Sequence, residues 1–236
     1  MKFLLLFFFC AAVLSARSQQ VVDVSKTDYT VGQSTFFSAG GEPFVSVKFV
    51  SLVEGTPYFK DDFMQAVLVS KEGQAYRDIS VKLDLFDNQL HYLDPKGKEY
   101  ITTTPLREIV MANPASKDSF HFLYSSYLPD TKKELQPGWY LNLASGKATL
   151  YTFYKKTVQE NKPYGASAIQ QTIKTDNIFV VQTASGLTQL KKLKDLPGAL
   201  PDKKGELEEF LKTRDDRRAT IEQRFTAAIN YYNSLP

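Results

Sequence analysis

The chain has 236 residues, with 29 Lys and Arg against 26 Asp and Glu, a formal net charge of +3 and a single cysteine. Hydrophobic residues make up 43% and aromatic residues 13%, enough to bury a sizeable core without covalent staples. So small a net charge gives no global field for nucleic acid or an anionic membrane, and one cysteine excludes an intramolecular disulfide.

Met1 and Lys2 form a short positive start to FLLLFFFCAAVL (Phe3–Leu14), an apolar run of signal-peptide length. A membrane-spanning helix needs about 20 apolar residues, and this run stops short. Small and polar residues follow, and Ala16 and Ser18 suit a cut between Ser18 and Gln19. Residues 1–18 are therefore predicted to be a signal peptide. Its removal takes Lys2 and Arg17, leaving 218 residues with 27 basic and 26 acidic side chains, a net charge of +1. Cys10 leaves as well, so the mature chain has no thiol for catalysis, metal binding or a disulfide. Lipid attachment at Cys10 would want small residues before it, and Phe7–Phe9 are not small. Residues 19–43 read as an extended N-terminal segment, and no later apolar run reaches membrane length.

Residues 44–196 are punctuated like a meander. Turn signals recur at 71–74 (KEGQ), 87–88 (DN), 94–97 (DPKG), 145–146 (SG), 175–177 (TDN) and 184–186 (ASG), with β-branched and aromatic runs between them. The count is about ten strands, with no long helical period to support parallel βαβ units. Ile79, Val81, Leu83 and Leu85 alternate with Asp78, Ser80, Lys82 and Asp84, a strand with one dry and one wet face. A two-residue turn at Asp87-Asn88 would pair Leu85 with Leu90 and Leu83 with Tyr92, and set Asp84 opposite His91 on the wet face. Likewise, a turn at Ser145-Gly146 would pair Leu141 with Leu150 and Tyr140 with Tyr151, with Phe153 diagonal to both.

From residue 197 the period changes. Leu207, Phe210 and Leu211, then Ile221, Phe225, Ala228, Ile229 and Tyr232, recur at helical spacing, and Asp215 and Asp216 sit where a helix dipole favours negative charge. The expected fold is mainly β (α+β): an antiparallel meander forming a curved sheet, open barrel or sandwich, with two C-terminal helices over 197–236 packed on it. Trp139, Leu141, Leu143 and Leu150 supply one face of the 138–156 hairpin with a core. Tyr140, Tyr151 and Phe153 on the other face are candidate ligand-binding residues that could stack on a sugar or cover an apolar ligand. The favoured reading places the helical tail over them, leaving only an exposed margin for binding.

Recognisable catalytic chemistry is missing. No G-x-S-x-G elbow, P-loop or G-x-G-x-x-G is present. His91 and His121 are the only histidines, thirty residues apart and without zinc-ligand spacing. His121 lies between Phe120 and Phe122 and points away from the core they enter. Asp61-Asp62 and Asp215-Asp216 cannot form working acid–base pairs on a strand, where neighbours face opposite ways, and residues 84–88 (DLFDN) lack a calcium-loop pattern. Lys191, Lys192, Lys194, Lys203 and Lys204 could touch phosphates, but Glu206, Glu208 and Glu209 offset them, which reads as a solvated surface. No catalytic residue, metal ligand or cofactor is predicted.

The stretches 55–92 (GTPYFKDDFMQAVLVSKEGQAYRDISVKLDLFDNQLHY), 146–165 (GKATLYTFYKKTVQENKPYG) and 228–235 (AINYYNSL) resemble a group of uncharacterised exported proteins of Bacteroidota. The resemblance implies export and brings no catalytic residues. Together these readings lead to a periplasmic or extracellular binding or interaction module of the cell envelope, possible partners being an envelope protein, a glycan or a lipid. Two rivals stand beside it: a carrier holding a lipid or other apolar ligand in the curved sheet, and a glycan hydrolase using scattered carboxylates. N-terminal sequencing of the exported form should begin at or near Gln19; a mature protein that retains Met1 would refute the signal-peptide reading.

Overall fold

The computed structural model describes residues 36–37, 41–44, 49, 51–113, 118–129, 135–165, 168–214 and 217–236; the predicted signal peptide and Asp215-Asp216 lie outside them. Twelve strands form one sheet among these residues: β1 (Gly41–Pro43), β2 (Leu52–Glu54), β3 (Met64–Ser70), β4 (Ala75–Asp84), β5 (Gln89–Leu93), β6 (Glu99–Thr102), β7 (Leu106–Ala112), β8 (Ser119–Tyr124), β9 (Trp139–Ala144), β10 (Thr149–Asn161), β11 (Gln170–Thr183) and β12 (Gly186–Leu190). Their order is β1-β6-β5-β4-β3-β7-β8-β9-β10-β11-β12, with β2 paired to β11. The pairings are antiparallel except β2–β11, and β1 and β12 remain as edges, so the sheet is open and does not close into a barrel. Three helices follow: α1 (Leu196–Ala199), α2 (Lys204–Thr213) and α3 (Ile221–Ser234).

One short segment decides how this sheet bends. Residues 51–54 pair with the start of β11, where the Gln171 N–H donates to the Ser51 carbonyl at 2.9 Å. A few residues later the same chain pairs with the end of β4: Phe59 N–H to Leu83 O and Leu85 N–H to Pro57 O, both 2.9 Å. Strands β3, β7, β8, β9 and β10 lie between β4 and β11. Laid flat, the strap would have to cross six strand spacings, roughly 29 Å. The chain from Leu52 to Tyr58 reaches only about 21 Å even fully extended. The sheet must therefore curl, and the curl presses Phe59 against Phe120, Phe122 and Tyr154 at centroid distances of 4.9, 5.0 and 5.8 Å. Gly55, at φ +82°, sits where the strap leaves β11, and a Cβ there would overlap the Ile173 carbonyl. Only glycine suits both the backbone angle and the close approach.

The inner face carries two adjoining cores. The first gathers Phe36, Leu68, Ile79, Leu83, Ile109, Met111 and Phe122. The second forms where α2 and α3 cover Leu150, Phe179, Val181 and Leu190, and partly buried Leu143 packs against both. Phe225 of α3 stacks on Phe179 at 4.1 Å, and Ala228, Ile229 and Tyr232 are buried beside it, whereas Ile221 is exposed. A capping box starts α3, with the Gln223 N–H on Thr220 Oγ1 and the Thr220 N–H on Gln223 Oε1. At its far end the Asn233 amide accepts from the Ala148 N–H at 2.8 Å and donates to the Ala148 carbonyl at 2.9 Å. A Cβ on Gly146 would lie 2.5 Å from that amide carbon, so the hairpin turn and the helix end fit each other through a missing side chain.

Two expectations about register change here. The β4–β5 turn spans four residues, 85–88, instead of two, pairing Leu83 with Leu90, Lys82 with His91 and Asp84 with Gln89. A shift of two keeps every side chain on its face, but His91 no longer faces Asp84. In the β9–β10 hairpin a bulge between Leu150 and Tyr151 pairs Ala144 with Leu150 and Tyr140 with Phe153. The helical tail also covers the face opposite to the expected one: it packs on Leu150, while Tyr140, Tyr151 and Phe153 are buried on the outer face with Leu128, Val180 and Leu187. Leu128 and partly buried Leu135, both in the β8–β9 connection, pack on these rings instead of the tail.

Because Phe225 and Tyr151 belong to separate clusters on opposite faces, their losses should add. Phe225→Ala should cost about 3–5 kcal/mol, and the double variant with Tyr151→Ala should match the sum of the singles to within about 0.5 kcal/mol in urea unfolding. A clear shortfall from additivity would mean that the two residues share contacts.

Candidate functional site

The strap and β1 cover the outer side of β4–β6 and leave a cleft of about 670 Å³. Alternation along β4 directs Lys82 and Asp84 to this side, and the register adds His91 of β5 and Glu99 and Ile101 of β6. Lys82, Asp84 and His91 are the residues that the sequence places on a wet face. His91 is instead 1% exposed and Asp84 7%, because Phe44 and Tyr58 lie over the imidazole at centroid distances of 5.0 and 5.5 Å. A polar strand face has become a floor.

The floor is held by one short charged contact. His91 Nδ1 lies 2.7 Å from Glu99 Oε1, and a carboxylate only accepts, so Nδ1 carries a proton. The other ring nitrogen, Nε2, is buried and has no hydrogen-bond partner, a shortfall worth about 1–3 kcal/mol in a folded protein. Glu99 also lies 3.5 Å from Lys82 Nζ. That ammonium sits over the Tyr58 and Phe63 rings at 4.3 and 4.7 Å, a cation–π arrangement.

Carboxylates surround this floor. Asp84 accepts the Phe86 and Asp87 backbone N–H groups at 2.7 and 2.9 Å, yet burial outweighs them and raises its carboxyl above the usual range. The Thr56 hydroxyl donates to Asp61 at 2.5 Å. Burial, with Asp84, Glu99 and Asp61 nearby, pushes the Tyr58 phenol up to about 12. Burial lowers the Lys156 ammonium, against the pull of Asp61 and Asp84. Asp61, Asp84 and His91 thus line one cleft, although the sequence places them in three separate turns and strands.

The candidate residues Tyr140, Tyr151 and Phe153 lie elsewhere. Tyr140 stacks on Phe153 at 5.1 Å, its hydroxyl donating to Gln136 O, and the Tyr151 hydroxyl donates to Gln182. Burial, the largest cause in each case, pushes both phenols up to about 12. His121 lies on the outer face, 3.1 Å from Glu108, and this hydrogen bond is the main cause holding the Glu108 carboxyl below its usual range. Lys203 and Lys204 pair with Glu206 and Glu208 along the helix surface at 3.8 and 3.9 Å. Among the described residues no cluster of three or more His, Cys, Asp or Glu could hold a metal ion, and no helix is long and apolar enough to cross a membrane. The chain was compared with protein families, curated proteins and solved structures, and none matches.

The sign of the Asp84 shift sets a pH dependence. A carboxyl whose pKa is higher folded than unfolded favours the folded state while protonated, and that advantage is lost as pH rises through the window between the two values. Asp84→Asn keeps an acceptor for Phe86 and Asp87 but removes the buried charge. The variant should therefore melt at a higher temperature than the parent at pH 8, and the gap should close towards pH 3. An equal or lower Tm at pH 8 would show that the ionised carboxylate stabilises the fold.

Proposed function

We propose that the protein is an exported, non-catalytic binding module of the bacterial cell envelope, whose ligand occupies the cleft beside β4, β5 and β6. The observation that carries this reading is His91, which lines a cavity of a size typical for small ligands and whose Nε2 is buried without a hydrogen-bond partner. The groups around the imidazole and the cleft support it. Glu99 fixes the imidazole tautomer, the rings of Phe44 and Tyr58 pack on the imidazole, and backbone N–H groups hold the Asp84 carboxylate. Export rests on the Phe3–Leu14 run and the small residues after it.

Hydrolysis of glycans is the second reading. It is favoured by Asp61 and Asp84 lining the same cleft, and by burial raising the Asp84 carboxyl towards the range of a general acid. An apolar-ligand carrier fits less well. The cleft sets Glu42, Asp61, Lys82 and Asp84 among its apolar lining residues, and the inner face between β3 and β9 is filled by Phe36, Phe122 and Met111.

Native mass spectrometry of the protein isolated from its source cell tests the proposal. The expected result is a small-molecule adduct. His91→Ala, still folded by circular dichroism, should lower its occupancy at least about tenfold, the worth of one hydrogen bond to a polar partner in a dry site. An adduct that survives in His91→Ala would place the ligand elsewhere. Turnover of an oligosaccharide that is abolished by Asp84→Asn would replace binding with hydrolysis.

A further inference from the structure

We infer that the protein has a second binding site, separate from the cleft at His91, and that this site takes a neutral sugar ring. It is a cavity of about 360 Å³, within the size range of small-ligand sites. The β4–β5 turn, the β6–β7 connection, the end of β8 and the start of β9 meet there. Among the described residues, Gln89 alone lines both cavities. Two of the lining residues hold a polar atom that the protein leaves unpaired. Trp139 is 4% exposed, and its indole Nε1, which can only donate, is buried without a hydrogen-bond partner. Asn88 Oδ1, which can only accept, is buried without one as well.

The local structure explains both shortfalls. Asn88, at φ +57°, sets its amide against Gly138, where a Cβ would overlap Oδ1. The Gly138 N–H is already given to Ser125 Oγ at 3.3 Å, and the Gly138 carbonyl accepts the Ser125 N–H at 2.9 Å. Trp139 faces Tyr124 across β8 and β9, the two rings packing at 5.2 Å, so its cross-strand neighbour is a ring and not an acceptor. A donor and an acceptor left over in one cavity call for a ligand that both accepts and donates. A hydroxyl does both from a single oxygen. Other described lining residues suit the same ligand: Thr102, Thr104 and Ser126 carry hydroxyls, and Tyr127 joins Tyr124 and Trp139 as a third ring. The face of an aromatic ring is its negative part, and it packs on the weakly positive C–H face of a pyranose while polar groups meet the hydroxyls at the sugar's rim. A water molecule can meet the two polar atoms but not the rings. A peptide amide divides donor and acceptor between atoms that point in opposite directions.

Trp139 is the single tryptophan of the chain, so its fluorescence reports on this cavity. The protein is titrated with the methyl glycosides of glucose, galactose, mannose and N-acetylglucosamine. Cyclohexylmethanol serves as an apolar ring and N-acetylglycine methylamide as an amide. At least one glycoside should change the emission saturably at millimolar concentration, more tightly than either control. Asn88→Gly removes the amide and keeps a residue suited to the positive φ. It should weaken that glycoside about fivefold, the worth of one neutral hydrogen bond. Tyr127→Ala, at a position 38% exposed, should weaken it several-fold and decides the matter if Asn88→Gly does not fold. No saturable response to any glycoside, equal or tighter binding of a control, or an affinity unchanged in the folded variants would overturn the inference. None of these results bears on the cleft at His91.

Discussion

The strap from Leu52 to Phe59 is the constraint on which the rest of the structure depends. Its hydrogen bonds to β11 and to β4 join two strands that five others separate. The chain between them is too short to span a flat sheet, so the curl is a geometric consequence and not a matter of side-chain preference alone. Everything inward of the strap follows from that. Phe59 reaches across to β8 and β10, and the apolar residues of β3 to β9 converge on a single core. Next to that core, α2 and α3 pack against β10–β12.

The same strap makes the candidate site. Had β4–β6 remained an open outer face, Lys82, Asp84, His91 and Glu99 would be an ordinary solvated set, with cross-strand pairs worth little. Tyr58 from the strap and Phe44 from the end of β1 exclude water from them. In the drier environment the His91–Glu99 contact becomes short and buried, the Asp84 carboxyl rises, and a single unpartnered nitrogen acquires an energetic cost. One covering segment thus turns charge that water would screen into charge held in a drier cleft.

The helical tail shows a different kind of fit. Its apolar stripe and capping residues prepare a helix, but the place where it docks depends on details at the β9–β10 turn. Asn233 satisfies both backbone groups of Ala148, and the absence of a side chain at Gly146 makes room for it. The stripe is then aligned with Phe179, Val181 and Leu190, on the face that Leu150 shares. Aromatic residues on the other face are buried as well, under the connection from β8 to β9. An aromatic stripe in a strand therefore calls for cover without saying which part of the chain provides it.

Much of the architecture was legible in the chain because it is local. Period-two alternation over Ile79–Leu85, turn residues at regular intervals and a stripe from Phe225 to Tyr232 each reflect interactions within a few residues, and they yield the strands, the meander and the tail. Faces were legible too: Phe122 and His121 do part to opposite sides. Registers were less so, since a wider turn or one bulge at Leu150 moves every pair without altering the pattern that revealed the strand. The site was not legible at all. His91 sits in a strand whose sequence reads as wet, and nothing within ten residues of it announces Phe44 or Tyr58. By itself the sequence determined which residues would form strands and helices and which of their faces are polar. Only the tertiary structure decided which polar face would be covered, because burial is set by whichever distant segment the curl of the sheet brings across it.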